Sequence, residues 1–168
     1  GTDGVDTDTD DTATTGRLGL MYRFDSGLSP YISYSESFVP NLGLDGFGES
    51  LDPTTGEQRE AGVKYLSQRH GLAVTAAWFD IEETNRVVDG ANPQSVEQTG
   101  AVVDGWEVSV KKRLGNASVL ANYTKLDARE DETGERLAYV AEESASVWGK
   151  YELESGFRFG AGVRYVGD

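Results

Sequence analysis

From Thr15 to Pro40 the chain reads TGRLGLMYRFDSGLSPYISYSESFVP, and its apolar residues recur at every second position. Leu18, Leu20, Tyr22 and Phe24 fall on one side of an extended chain and Arg17, Gly19, Met21 and Arg23 on the other. A period of two is the mark of a strand with one apolar and one polar face. The same alternation predicts strands over about residues 13–25, 29–38, 57–67, 71–82, 100–113, 116–127, 143–154 and 157–166. In the last of these, Phe157, Phe159, Ala161, Val163 and Tyr165 alternate with Arg158, Gly160, Gly162 and Arg164. In the fourth, Trp78 and Phe79 are adjacent and cannot share a face, so the pattern leaves that register open.

The connections alternate in length. Tight turns fall at DSGL (25–28), SQRHGL (67–72), RLGN (113–116) and ESGF (154–157), each with a glycine able to take the positive φ a hairpin requires. Longer polar stretches fall at 39–56, 83–99 and 128–142. Short turns at one edge and long loops at the other are the plan of an antiparallel, up-and-down transmembrane β-barrel with short periplasmic turns and long extracellular loops. Alternation alone also suits a soluble sandwich, but the aromatics discriminate. Tyr22, Phe24, Tyr65, Tyr151, Phe157 and Phe159 lie on the apolar face near short turns, and Phe38, Trp106, Tyr123 and Tyr165 lie near the long loops. Two aromatic belts around an aliphatic band suit a bilayer with an interface at each side. Charges that interrupt the apolar face, Glu36, Arg59, Asp104, Lys112 and Lys125, sit near strand ends, where long side chains reach headgroups.

Composition changes the picture in two ways. The net charge of −14, from 29 acidic and 15 basic residues, argues against nucleic acid as partner, since a phosphate backbone needs a basic groove. The absence of cysteine removes disulfides, thiolate metal sites and a thiol nucleophile. The chain opens at GTDGVDTDTDD without an initiator Met, as a processed chain or a fragment does.

The blocks TGRLGLMYRFDSGLSPYISYSESFVP, PTTGEQREAGVKY, AAWFDIEETNRV, QTGAVVDGWEVSVKKRL, NYTKLDA and GAGVRYVGD, in this order and spacing, resemble consecutive strands of TonB-dependent ferric-siderophore receptors of the ferrichrome or hydroxamate type. The resemblance runs from about Thr12 to Asp168. It implies a barrel of about 22 strands with a plug in its lumen, of which residues 13–168 form an internal slice of the carboxyl-terminal half and residues 1–12 an acidic, extracellular loop. It further implies an outer membrane of the Gram-negative type, contact with the lipid bilayer and lipopolysaccharide, and a ferric siderophore as transported ligand. The TonB complex would be reached through an N-terminal region and plug outside this chain. No cofactor and no catalytic residue are expected of a transporter.

Arg17, Arg23, Lys64, Glu107, Lys111, Arg158 and Arg164 project to the polar face, as partners for one another or for a plug, or as a hydrated charge lattice. Phe47 and Tyr139, in the loops 39–56 and 128–142, are candidates for ligand contact because the family's sites are lined by aromatics at the extracellular mouth. Asp6–Asp11 superficially suits calcium, but an EF-hand begun at Asp6 would need glycine at Asp11 and glutamate at Arg17. His70, the sole histidine, falls in a tight turn, and the sequon at Asn116 lies in another. Two alternatives to the receptor remain. A self-contained eight-stranded barrel with a structural or adhesion role would pair its first and last strands, and a propeller would need four strands per repeat where the pattern gives two.

Overall fold

The computed structural model describes residues 12–45, 47–90 and 96–167. The acidic stretch Asp6–Asp11, and with it the calcium question, lies outside the described residues, as does nearly all of the loop expected over 1–12. The eight expected strands are present: β1 (Arg17–Met21), β2 (Leu28–Val39), β3 (Thr54–Ser67), β4 (Leu72–Asp89), β5 (Val96–Leu114), β6 (Ala117–Glu130), β7 (Glu143–Glu152) and β8 (Arg158–Val166). They form one sheet in chain order, every neighbour antiparallel. Gly27, Gly71, Gly115 and Gly156, one in each tight turn, carry φ of 89°, 56°, 59° and 88°, the left-handed conformation that lets a short connection follow the strands' twist.

Cross-strand partners share a face, so the register sorts every side chain. One face carries Leu20, Ile32, Ala61, Trp78, Trp106 and Lys125 in a single row, with Val74, Val110, Ala121, Val147 and Val163 in another. Trp78 is the partner of Trp106, whereas Phe79 is the partner of Gly105 on the opposite face, which fixes the register that periodicity left open. Glu36, Arg59, Asp104, Lys112 and Lys125 all lie on the apolar face, but only Lys112 and Glu36 fall toward a strand end: β3, β5 and β6 run further than expected, which leaves Arg59, Asp104 and Lys125 within them. Most large apolar side chains are exposed, among them Leu18, Ile32, Trp106 and Val163, so the sheet has no core of its own. An apolar face of this extent left uncovered needs a non-aqueous neighbour.

The loop expected over 83–99 is partly strand instead. β4 and β5 are 18 and 19 residues long, against the ~9–11 that cross a bilayer. Their excess of about seven residues extends the hairpin by roughly 25 Å beyond the membrane, at ~3.3 Å per residue. Residues such as Glu83, Thr84, Asn85 and Arg86 are polar on both sides. There the backbone ladder holds the strands without an apolar face, so hydrophobic periodicity carries no signal. β1 is shorter than expected, five residues, although the Tyr22 amide still donates to the Pro30 carbonyl at 3.1 Å.

β1 pairs with β2 alone and β8 with β7 alone, so the described strands do not close into a barrel by themselves. That removes the self-contained eight-stranded barrel. Both edges present unpaired amides and carbonyls, which lipid cannot satisfy and which in water invite pairing with another chain. The isolated 168-residue chain should therefore self-associate, or require detergent, when refolded. Size-exclusion chromatography with light scattering checks this, and a monodisperse, heat-resistant monomer in water would contradict the open-edged fold.

Candidate functional site

The polar face is built by the other half of the register. Arg17, Lys64, Glu107, Lys111, Arg158 and Arg164 all fall on it, and Arg23, two residues past β1, continues the same parity. The structure therefore brings the seven candidate residues to one face but does not join them into one cluster. Arg158 pairs with Glu152 at 3.1 Å. Lys64 Nζ stands 4.7 Å from the centre of the Tyr31 ring, a cation–π contact, while the Tyr31 hydroxyl donates to Glu60. Among the described residues, Arg17, Arg23, Lys111 and Arg164 have no carboxylate within 4.0 Å.

Phe47 and Tyr139 occupy two separate loops, β2–β3 and β6–β7, and no hydrogen bond or ring contact joins them. Phe47 is 94% exposed at a tip shaped by the Asp45 carboxylate, which accepts from the Phe47 and Glu49 amides, both at 2.8 Å. Tyr139 is wholly exposed with φ of 65°, in a segment closed at its base by the ion pair of Arg136 with Glu142. His70 is a turn residue: its ring meets Ser67 Oγ at 2.9 Å and its carbonyl accepts from Lys112.

The sequence did not reveal the polar knot that anchors the Phe47 loop. A one-residue bulge between Glu83 and Arg86 leaves Asn85 at φ 54°, a conformation asparagine tolerates better than most residues. The Asn85 carbonyl, freed from the ladder, accepts from Thr54 Oγ1 at 2.9 Å, Gln98 Nε2 at 2.9 Å and Asn41 Nδ2 at 3.3 Å. Gln98 also receives the Asp52 amide at 2.9 Å and donates to the Asp52 carbonyl at 2.7 Å. The bulge has a second effect. It turns Arg86 onto the polar face as partner of Thr99, whose hydroxyl donates to Glu130 at 2.8 Å. Glu130 ends β6 well beyond the Tyr123 belt, outside the bilayer; the Thr133 and Thr99 hydroxyls hold its carboxyl below the usual range, aided by Arg86.

Gln98→Ala removes three of these bonds. At ~0.5–1.5 kcal/mol per bond, and with partial exposure, it should lower the local opening free energy of the 41–54 segment by about 1 kcal/mol. Amide exchange at Asp52 should rise roughly five-fold while the global unfolding transition stays in place. Unchanged protection at Asp52 would show that the knot does not hold the loop.

Comparison with known proteins places this geometry. The family described as TonB dependent receptor-like, beta-barrel matches residues 1–168. The chain is 34% identical over 165 residues to the ferrioxamine receptor of Yersinia enterocolitica, covering 94% of this chain and 23% of the receptor. It is 36% identical over 171 residues to the ferrichrome outer membrane transporter/phage receptor of Escherichia coli K12, again 94% and 23%. It thus spans about a quarter of the length of these relatives. Among solved structures, the ferripyoverdine receptor of the outer membrane of Pseudomonas aeruginosa superposes with a TM-score of 0.74, at 24% identity over 88% of this chain and 22% of that one. The ferric-catecholate import receptor Fiu of E. coli K12 gives 0.71, at 25% identity over 90% and 24%. An open eight-stranded antiparallel sheet with short turns, long loops and two unlike faces, matched from end to end, belongs to the TonB-dependent receptor-like β-barrel family.

Proposed function

We propose that the complete protein takes up a ferric siderophore of the hydroxamate class across the outer membrane, energised by the TonB complex. The observation that carries this reading is the 34–36% identity to ferrioxamine and ferrichrome receptors over 94% of the chain. Receptors named for other ligands share less: 32% for the metal-pseudopaline receptor and 26% for the ferripyoverdine receptor of P. aeruginosa. In this reading the apolar face meets lipid, with the charges at its loop end among lipopolysaccharide headgroups. The polar face lines the lumen, where Arg17, Arg23, Lys64, Glu107, Lys111, Arg158 and Arg164 meet a plug supplied outside this chain.

Phe47 and Tyr139 contact the incoming chelate at the extracellular mouth, and residues 1–12 form part of an extracellular loop. Exposed aromatics on loops held by rigid strand tips suit capture of a bulky, partly apolar complex. The reaction is translocation, in which the protein makes and breaks no bond of the ligand.

The full-length receptor, expressed in a strain lacking its own hydroxamate receptors, should restore uptake of radioactive iron from ferrioxamine B or ferrichrome. Uptake should vanish in a tonB background, and Phe47→Ala and Tyr139→Ala should each weaken surface binding several-fold. Correct insertion in the outer membrane with no uptake of either hydroxamate chelate would refute the proposed substrate class.

A further inference from the structure

Three of the aromatic side chains on the polar face are placed opposite glycine. Tyr31 is the cross-strand partner of Gly62, Phe79 of Gly105 and Trp148 of Gly162. In each pair the ring occupies the space a side chain would need. A Cβ at Gly62 would lie 2.7 Å from two ring carbons and the hydroxyl oxygen of Tyr31, one at Gly105 would lie 2.8 Å from Phe79 Cζ, and one at Gly162 would collide with Trp148 Cε3. Trp148 reaches diagonally as well, to 2.8 Å from a Cβ at Gly160. Tyr31 is held down at both ends, its hydroxyl on Glu60 and its ring under Lys64, the residues two places either side of Gly62 on the same face of β3.

Glycine weakens a strand, because it has no side chain to pack and loses more backbone entropy on ordering. Its presence opposite each of these rings needs a compensating reason. A ring laid across a glycine restores packing to the strand and leaves a wall no taller than the ring is thick. On the face carrying Leu18, Trp106 and Tyr123, Gly149, opposite Ala161, has no ring over it: a Cβ there would lie 3.8 Å from one backbone oxygen and nothing closer. Gly167, past the end of β8, meets Tyr165 of its own strand, not a ring across the sheet.

We propose that Gly62, Gly105, Gly160 and Gly162 set the clearance of the lumen, by letting Tyr31, Phe79 and Trp148 lie flat against its wall. The rings thereby leave room for the body that fills the lumen and for the ligand's path past it. This rests on the assignment of the polar face to the lumen. At Gly62 the three nearest atoms to the added carbon all belong to Tyr31 and at Gly160 the two nearest belong to Trp148, whereas at Gly105 the Lys125 carbonyl lies 2.5 Å and at Gly162 the Val147 carbonyl 2.8 Å away. Gly62→Ala and Gly160→Ala therefore isolate the effect of raising a ring from that of straining the strand.

The experiment uses the full-length receptor. In a full-length background where Trp78, Trp106 and every tryptophan outside this chain are replaced by Phe, Gly160→Ala should increase acrylamide quenching of Trp148 in the inserted protein, since the ring exposes its second face. In the native background, Gly62→Ala and Gly160→Ala should slow iron uptake several-fold with surface binding of the chelate unchanged. Trp148→Ala combined with Gly160→Ala should recover the uptake, and Gly149→Ala should leave it untouched. Quenching of Trp148 that does not change in a folded Gly160→Ala protein would overturn the proposal, as would an uptake defect that persists when the ring is removed. The quenching arm needs no transport, so a receptor that carries some other ligand would fail the uptake test of function and still report on clearance.

Discussion

Backbone hydrogen bonding is the constraint on which the rest of this structure depends. In the hydrocarbon region no water completes an unpaired amide or carbonyl, and each one left open costs several kcal/mol, of the order of 4–8 in a solvent that cannot hydrogen-bond. A strand satisfies itself only through its neighbours. The antiparallel ladder from β1 to β8 does so at every interior strand, leaving β1 and β8 as the places where further strands must join. Because the ladder is indifferent to side chains, it leaves the two faces free to answer to different surroundings.

That freedom accounts for a chain both strongly acidic and covered in exposed apolar groups. Aliphatic residues hold the middle of one face, and charges gather at its loop end. There Arg59 reaches Glu57 at 3.3 Å, Glu82 at 3.4 Å and Asp80 at 3.6 Å, so one guanidinium offsets three carboxylates. Asp80, Asp104 and Asp127 stand directly opposite one another across β4, β5 and β6, an unfavourable alignment. Arg59 relieves it at one side and Arg129, 2.7 Å from Asp127, at the other. Exposed pairs of this kind add little stability; their effect is to offset like charges that the register sets side by side.

The sequence was most legible where two solvents compete. Strand count, turn positions and the split between Val163 and Gly162 follow from a period of two imposed by lipid on one side. Legibility fell off where that contrast ends. The β4–β5 hairpin runs well beyond the length of a bilayer span with valines and polar residues mixed on both faces, and Asn85 and Gln98 act through a bulge that no periodicity encodes. Phe47 and Tyr139 could be read as aromatics of the loops 39–56 and 128–142, but the pattern does not say whether the fold brings the two together. The pairing of Tyr31, Phe79 and Trp148 with glycines depends on register between strands up to 31 residues apart, as for Tyr31 and Gly62. A single strand's pattern cannot supply it. Trp78 and Phe79 make the same point, since the partners Trp106 and Gly105 decide which one joins the apolar face.

The central claim is that the face bearing Trp78 and Trp106 meets lipid while the face bearing Trp148 does not. Single-tryptophan versions of the full-length receptor, reconstituted in bilayers whose acyl chains carry bromine, test this directly, since bromine quenches indole fluorescence only at short range. The account predicts strong quenching for the proteins retaining Trp78 or Trp106 and little for the one retaining Trp148. Quenching of Trp148 equal to or greater than that of Trp106 would contradict the assignment of the two faces.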